Sequence, residues 1–124
     1  MHKMRMKEKY YNLLKSGEKT IEARLLDDKR KAIKTGDIIT FYNVSYENES
    51  FQAKVTALHK AGSFEELCDI INPQDVGFDS KASLLKAQEE FYTPEREKKF
   101  GVVGIEIAKI GYKIGQKLCI SKKI

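Results

Sequence analysis

The chain is short of the residues that most often carry chemistry by themselves. Its 124 residues include two cysteines, two histidines, two prolines and no tryptophan. Cys68 and Cys119 lie far apart and neither belongs to a CxxC pair, so we predict neither a disulfide framework nor a zinc site. His2 and His59 have no partner at metal-ligand spacing. We therefore expect no bound metal and no cofactor.

Long apolar runs and the common catalytic motifs are missing as well. No run approaches the roughly 18 apolar residues that indicate a membrane span, and the basic start "MHKMRMKEKYY" lacks the apolar stretch of a secretory signal. There is no GxSxG motif and no glycine-rich phosphate loop. These absences predict a cytoplasmic protein without a membrane partner, and they argue against the enzyme classes that depend on those two motifs.

Charge is what the sequence has in quantity. Charged residues make up 33% of the chain, the net charge is +5, and 41% of the residues are hydrophobic. The length and composition indicate one globular domain with one core. A basic balance favours anionic partners such as RNA or a nucleotide. A solvated basic surface without such a partner explains the same number, so net charge leaves both interpretations open.

The hydrophobic pattern predicts a mixture of short strands and helices. Helical spacing and capping signals indicate helices over 6–16, at 63–67 and over 80–92, and alternation indicates strands over 2–4, 19–25, 38–43, 51–59 and 101–110. The third and fourth of these strands are joined by a short link, which makes them antiparallel. Several short strands with interspersed helices predict an α+β fold, a small β-barrel decorated by helices.

The segment 19–25 combines a core face with a polar face. Ile21, Ala23 and Leu25, at the odd positions, are apolar. Thr20, Glu22 and Arg24, at the even positions, are polar. Because side chains two apart on a strand share a face, the heads of Glu22 and Arg24 can meet. One interpretation is an ion pair on a solvated face, which contributes roughly 0–1 kcal/mol.

The other interpretation of this polar row is a ligand pocket that holds charges of both signs. The planar fork of Arg24 suits a phosphate or a base edge, and a carboxylate such as Glu22 accepts from an exocyclic amine. Lys19, just after a glycine turn, could reach a phosphate as a point charge. Lys29 and Arg30, in the run "DDKRK", would extend the basic rim of such a pocket.

Aromatic side chains could stack on a base if their rings are exposed. The candidates are Tyr42, Tyr46, Phe91 and Tyr92. Most aromatic residues at strand or helix spacing belong to the core, so this prediction depends on exposure. Tyr46 lies in the predicted hairpin link, where exposure is expected.

The order of residues across this region resembles a known family. The pattern G-x-K-T-x-E-x-R is followed by K-x-G-D-x-I-x-F, here Gly17, Lys19, Thr20, Glu22 and Arg24, then Lys34, Gly36, Asp37, Ile39 and Phe41. This pattern is similar to that of the ASCH domain, and the resemblance extends over about residues 2–110. It implies a small mixed PUA-like β-barrel with flanking short helices and a cleft beside the barrel. We therefore predict an ASCH domain over 1–110, with 111–124 as a basic C-terminal tail or an extra strand through which a homodimer could form.

The resemblance also implies a function. The family is regarded as RNA-binding or nucleotide-binding, and the matched positions place Lys19, Glu22 and Arg24 in the cleft. We predict a non-catalytic protein that binds RNA or a nucleotide. The predicted binding residues are Lys19, Thr20, Glu22, Arg24, Lys29 and Arg30.

Catalysis is the alternative that the resemblance leaves open. Some small relatives are acetylcytidine amidohydrolases with a catalytic lysine that corresponds to Lys19. They have a threonine where this chain has Glu22, and a glutamate near the place where this chain has only Asp75. Other relatives cleave RNA with a divalent metal, which Glu22 together with Asp27 or Asp28 could help to hold. A hydrolase of a modified nucleoside and a metal-dependent ribonuclease are thus the alternative functions.

Overall fold

The computed structural model describes residues 2–46, 48–114 and 117–120, and the surroundings of side chains up to residue 111. The strands are β1 (His2–Met6), β2 (Ile21–Leu25), β3 (Ile38–Asn43), β4 (Glu49–Ala61), β5 (Val102–Ile114) and β6 (Lys117–Ile120). The helices are α1 (Glu8–Ser16), α2 (Asp28–Lys31), α3 (Phe64–Ile70), α4 (Lys81–Glu89) and α5 (Pro94–Phe100), with a 3-10 helix at Pro73–Val76.

The strands form one mixed sheet in the order β1-β3-β4-β5-β2, and β6 pairs with β5. β1 runs parallel to β3, while β3, β4, β5 and β2 pair antiparallel in turn. The sheet curves into a half-barrel with short helices beside it. The predicted α+β fold, and the antiparallel pairing of β3 with β4, are confirmed.

The two end strands of the sheet, β1 and β2, are linked by a side chain. Arg24 on β2 donates from Nη2 to the backbone carbonyl of Arg5 on β1 at 3.2 Å. The same nitrogen lies 3.1 Å from the sulfur of Met6. The polar face of β2 therefore lies against the opposite end of the sheet and not in open solvent.

The buried apolar residues form two clusters. One involves β1, α1 and the central strands, with Met4, Tyr11, Ile39, Phe41, Phe51 and Val55 among its members. The other joins β2 to the helices and contains Ile21, Ala23, Leu25, Phe64, Leu67 and Leu84. The odd positions of β2 are thus core residues, as their alternation predicts.

Several element boundaries differ from the sequence prediction: α3 extends to Ile70, and α4 ends at Glu89 and not at residue 92. α1 begins at Glu8 and not at residue 6, because Met6 completes β1 and Lys7 is in an extended conformation. α1 ends at Ser16, as predicted, and Gly17 follows it with a φ of +88°, the left-handed conformation that glycine adopts most easily. The segment between α3 and α4 contains the 3-10 helix at Pro73–Val76.

The C-terminal part extends the sheet. β5 continues to Ile114, four residues beyond the predicted strand, and β6 pairs antiparallel with its end. Residues 115–116 and 121–124 of the predicted tail lie outside the described residues. The division into 1–110 and 111–124, and dimerisation through the tail, remain predictions. In the described ranges, no helix is both long and apolar enough to cross a membrane.

Candidate functional site

A cleft of about 240 Å³ opens between the two end strands of the sheet and helices α1 and α4. Charged residues from β2 and the turn before it line its floor, and aromatic residues line its walls. The main lining side chains are Lys19, Glu22 and Arg24, then Tyr10, Phe78, Phe91 and Tyr92, with Arg5, Lys7 and Gln88 also lining it. Its volume lies just below the about 300–1,000 Å³ of pockets for drug-sized molecules, so it suits a ligand smaller than these.

Three charged side chains form a buried network on the floor of the cleft. Nζ of Lys19 lies 2.8 Å from Oε1 of Glu22, and Nε of Arg24 donates to Oε2 of the same carboxylate at 2.7 Å. The side chains of Lys19 and Glu22 are only 3% and 6% exposed. We call these three residues the ion triad. The predicted meeting of Glu22 with Arg24 is confirmed, but Glu22 is buried and Arg24 is only 19% exposed, so the pair does not lie on an open, solvated face.

The triad is electrostatically coupled. Burial disfavours the charged form of Glu22, but Lys19 and Arg24 outweigh that penalty and hold the pKa of the carboxyl below its usual range. Burial also disfavours the charge of Arg24, yet the adjacent Glu22 carboxylate raises the pKa of the guanidinium above its usual value. Glu22 and Arg24 are therefore held in their charged forms near neutral pH.

The backbone around Lys19 fixes the direction of its side chain. The N–H of Lys19 donates to the carbonyl of Leu13 at 3.0 Å, which ties the turn after Gly17 back to α1. On the other side, a Cβ at Gly77 would lie 3.4 Å from Cδ of Lys19, and Gly77 has a φ of +92°. The backbone at Gly77 thus packs beside the lysine stem, and its left-handed conformation favours glycine at this position.

The aromatic walls offer ring faces to a ligand. The rings of Tyr10 and Phe78 lie 6.1 Å apart, and Nζ of Lys19 is 5.0 Å from the centroid of the Tyr10 ring. Phe91 is 43% exposed, and Nζ of Lys7 lies 4.6 Å from its centroid. Burial raises the pKa of Tyr92, so its hydroxyl stays neutral. The cleft therefore combines charge on its floor with apolar, partly exposed rings on its walls.

A second depression, of about 320 Å³, adjoins the cleft. Its lining residues are Lys3, Arg5, Lys29, Tyr42 and Asn43, and we call it the basic groove. Arg5 lines both the cleft and the groove. The two depressions therefore share a cationic side chain.

The six predicted binding residues do not all line the same depression. Lys19, Glu22 and Arg24 line the cleft, and Lys29 lines the basic groove. Thr20 lines neither, and its backbone N–H and carbonyl are bonded to Asp75 and Ile107. The predicted binding roles stay predictions, but the geometry brings three of the residues into one cleft.

Arg30 has a local partner. Its Nη1 lies 3.1 Å from Oδ2 of Asp27, and Oδ1 of Asp27 caps α2 by accepting from the Arg30 N–H. Arg30 lines neither the cleft nor the groove. Its neighbour Lys29 is exposed and points to the groove instead.

Several cleft residues were not singled out from the sequence. Arg5, Tyr10 and Phe78 come from segments distant from β2 along the chain. The alternation in "HKMRM", with Met4 and Met6 buried and Lys3 and Arg5 exposed, is the signal that marks Arg5 as outward-facing. No comparable signal marks Phe78, which follows the 3-10 helix.

The residues that the sequence suggested for catalysis do not all lie in the cleft. Asp75 is exposed and does not line the cleft, and its carbonyl accepts from the Thr20 N–H at 2.8 Å. Asp27 is engaged with Arg30, and both oxygens of Glu22 already face cations. Among the residues that the structure describes, no three His, Cys, Asp or Glu side chains are grouped to hold a metal ion. The cleft thus offers Lys19 as its candidate catalytic group, without the aspartates.

Comparison with known proteins places the chain in a family. The sequence model of the ASCH domain matches residues 4–111, and the protein belongs to the ASCH domain family. The resemblance on which the fold prediction was based is therefore confirmed. No curated protein sequence matches the chain.

Solved structures resemble the chain over most of its length. The crystal structure of the hypothetical protein PH0355 is 40% identical, with a TM-score of 0.77 over 87% of this chain and 97% of that one. Protein PF0455 from Pyrococcus furiosus is 34% identical, with a TM-score of 0.69 over 87% and 96%. The crystal structure of ASCH from Zymomonas mobilis is 12% identical, with a TM-score of 0.56 over 98% and 87%, and shares the fold.

Proposed function

We propose that the protein binds single-stranded RNA or a nucleotide, without catalysis, by holding a base in the cleft. The observation that carries this proposal is the ion triad on the floor of an aromatic-walled cleft. Membership of the ASCH family is consistent with it. Charge, hydrogen-bonding capacity and stacking area in the cleft each support it.

The charge on the cleft floor favours an electron-rich or anionic ligand. Lys19 and Arg24 supply two positive charges and Glu22 one negative charge, so the triad has a formal excess of one positive charge. The electrostatic field of this charge is stronger between low-dielectric walls than in open water. Arg5 and Lys7 at the cleft add further positive charge.

Hydrogen-bonding capacity remains on Arg24. Its Nε donates to Glu22 and its Nη2 to the Arg5 carbonyl, whereas Nη1 has no hydrogen-bond partner among the described residues. The guanidinium is thus held in place at two corners, and the third is available. A fixed, planar donor of this kind suits a base edge or a phosphate oxygen.

Stacking is supported by Phe91. Its ring lines the cleft and is 43% exposed, which leaves area for a base to cover. Base–aromatic stacking contributes about 1–3 kcal/mol per base and depends little on base identity. The edge of a base that lies between the aromatic walls would be close to the ion triad.

The first experiment tests stacking with a matched pair of aromatic variants. Phe91→Ala is expected to weaken binding of a short, fluorescently labelled single-stranded RNA by about fivefold or more in a fluorescence anisotropy titration. Tyr46→Ala is the control, because Tyr46 is 55% exposed but lines neither depression. Equal affinities for the two variants would contradict the placement of a base against Phe91.

The second experiment tests Arg24 in the same titration. Arg24→Ala is expected to lower the affinity for RNA and to weaken its salt dependence. Because Arg24 also links β1 to β2, the thermal midpoint of each variant must be measured beside the affinity. An unchanged affinity in a folded Arg24→Ala variant would overturn the assignment of the cleft.

A hydrolase of a modified nucleoside is the second candidate, and one observation favours it. Nζ of Lys19 lines the cleft and lies 2.8 Å from a carboxylate oxygen of Glu22, which holds the amine in place. The test is product formation from acetylcytidine, with and without a divalent metal, in the protein and in Lys19→Ala. Turnover that Lys19→Ala abolishes would establish the enzyme, whereas binding without product supports the non-catalytic proposal.

A further inference from the structure

The basic groove is formed by side chains that three separate elements place together. β1 is an end strand, and its alternation leaves Lys3 and Arg5 exposed. Lys29 reaches the same groove from the short helix α2, and Tyr42 from β3. In the register of the parallel pair, Arg5 lies opposite Tyr42. Three cations separated in sequence therefore line one depression.

These cations have no anionic partner in the described part of the chain. The lining of the groove contains no carboxylate, and none of the described acidic side chains lies within 4.0 Å of the charged atoms of Lys3, Arg5 or Lys29. Arg30 shows the contrast, because Asp27 neutralises it. Like charges gathered without a counter-charge repel each other, and a bound anion relieves that repulsion.

Asn43 adds an unmet donor to the groove. Its residue is 1% exposed, and its Oδ1 accepts from the N–H of Ser45 at 2.9 Å, which fixes the orientation of the amide. Its Nδ2 is buried and has no hydrogen-bond partner among the described residues. A buried donor without an acceptor is unfavourable. An oxygen that enters the groove and reaches this amide would supply the acceptor.

We propose that the basic groove is a phosphate subsite, which holds the phosphate adjacent to the base in the cleft. The inference rests on the proposed function and extends it, because it specifies that the ligand is phosphorylated. Arg5 lines both depressions and connects the two subsites. The sugar–phosphate backbone would then leave the cleft beside Arg5 and cross the outer face of β1 towards Lys3 and Lys29.

The experiment compares two double variants that remove the same charge. Lys3→Ala with Lys29→Ala removes two cations from the groove. Lys54→Ala with Lys60→Ala removes two exposed cations of β4 that line neither depression. The probe is a short, labelled single-stranded RNA titrated between about 50 and 200 mM salt.

The groove variant is expected to bind this RNA about two- to thirtyfold more weakly than the β4 variant, the effect of two exposed ion pairs with phosphate. The slope of log affinity against log salt should also fall by about 0.7 for each phosphate that the groove no longer binds. Affinity for an uncharged nucleoside should remain equal in both variants. Equal RNA affinities and equal slopes would overturn the phosphate subsite.

The outcomes separate this inference from the proposed function. If Phe91→Ala and Arg24→Ala weaken RNA binding but the groove variant does not, the cleft assignment stands and the subsite is wrong. If the groove variant alone weakens binding, the subsite stands and the base is not held in the cleft. If the unaltered protein binds no RNA, both the cleft assignment and the phosphate subsite are wrong for an RNA ligand.

A final experiment tests whether the phosphate comes from a single nucleotide or from the backbone of a longer strand. A nucleoside monophosphate and the matching nucleoside are compared by isothermal titration calorimetry. If a single phosphate suffices, the monophosphate binds more tightly than the nucleoside, and the groove variant removes the difference. If the monophosphate gains nothing while RNA binding still depends on the groove, the subsite recognises the backbone of a longer strand. If neither probe depends on the groove, the inference is overturned.

Discussion

The cleft and the outer surface of the protein contain ion pairs built from the same residue types, and the two behave differently. Lys19 and Glu22 lie 2.8 Å apart with side chains 3% and 6% exposed, whereas Lys81 and Glu65 lie 3.6 Å apart with side chains 44% and 71% exposed. Water screens the second pair, and an exposed pair contributes little to stability. The environment, and not the residue types, decides what such a pair does.

Burial makes the ion triad costly as well as strong. Removing charges from water costs several kcal/mol per ion, and the attraction between them repays this only when geometry is good. Apolar residues in the same place often give equal or greater stability. A triad kept beside a cleft is therefore better explained by a role towards a ligand than by stability alone, which agrees with the proposed function.

The largest expected effect comes from neutralising the shared carboxylate. Glu22→Gln leaves the buried Lys19 and the largely buried Arg24 without their anion, which should lower the free energy of unfolding by about 3–5 kcal/mol. Urea denaturation followed by circular dichroism measures the change. A loss below about 1 kcal/mol would mean that the triad is no more important to stability than a surface pair.

Removing the fork of Arg24 should have the next largest effect. Arg24→Lys keeps the positive charge but cannot donate to both Glu22 and the Arg5 carbonyl in the same way. We expect a loss of about 1.5–3 kcal/mol, the range for hydrogen bonds to charged groups. The same denaturation experiment applies, and full stability in this variant would contradict the role of Arg24 in joining β1 to β2.

The pH dependence of stability should differ between the triad and the surface. The pKa of Glu22 is lowered in the folded protein, so its stabilisation is complete above the ordinary glutamate value of about 4.3 and is lost as pH falls through the folded value. The gap in unfolding free energy between the protein and Glu22→Gln should therefore narrow below about pH 4.3.

The difference in unfolding free energy between the protein and Glu22→Gln reports the titration of Glu22 and not that of other acidic residues. The Lys34 N–H and then His2 hold the pKa of Asp37 below its usual range, so Asp37 titrates in both proteins and cancels from the difference. A gap that stays constant down to the acid transition would show that the charge of Glu22 does not stabilise the fold.

The smallest expected effect is on the surface. Glu65→Gln removes the partner of Lys81 in water and should change the free energy of unfolding by less than about 0.5 kcal/mol. It is the matched control for Glu22→Gln, since both replace a carboxylate that faces a lysine. A loss comparable to that of Glu22→Gln would contradict burial as the cause of the difference.

Much of the fold could be predicted because local signals agreed with it. Alternation identified the core face of β2, and Ser63 caps α3 by accepting from the Glu66 N–H, as its sequence predicts. The boundary of α1 was less accurate, because a helix pattern and a strand pattern overlap at Met6. The length of β5 was underestimated because the extra residues pair with strands that local sequence does not reveal.

The candidate site could be predicted only in part. Adjacent residues Lys29 and Arg30 were equivalent members of a charge run, yet one lines the basic groove and the other pairs with Asp27. Thr20 belonged to the same polar row as Glu22, but it does not line the cleft. Such differences depend on the packing around each side chain and not on its type.

The sequence by itself determined that Glu22 and Arg24 share one face of a strand whose other face is core, because the period of a strand is two. Only the tertiary structure decided that this face is buried and becomes a cleft. β1 and β2 are the two ends of the sheet, and their approach depends on how the intervening strands curve. That curvature brings Arg5 beside Arg24, and contacts of this kind are set by packing between distant segments, which no local pattern encodes.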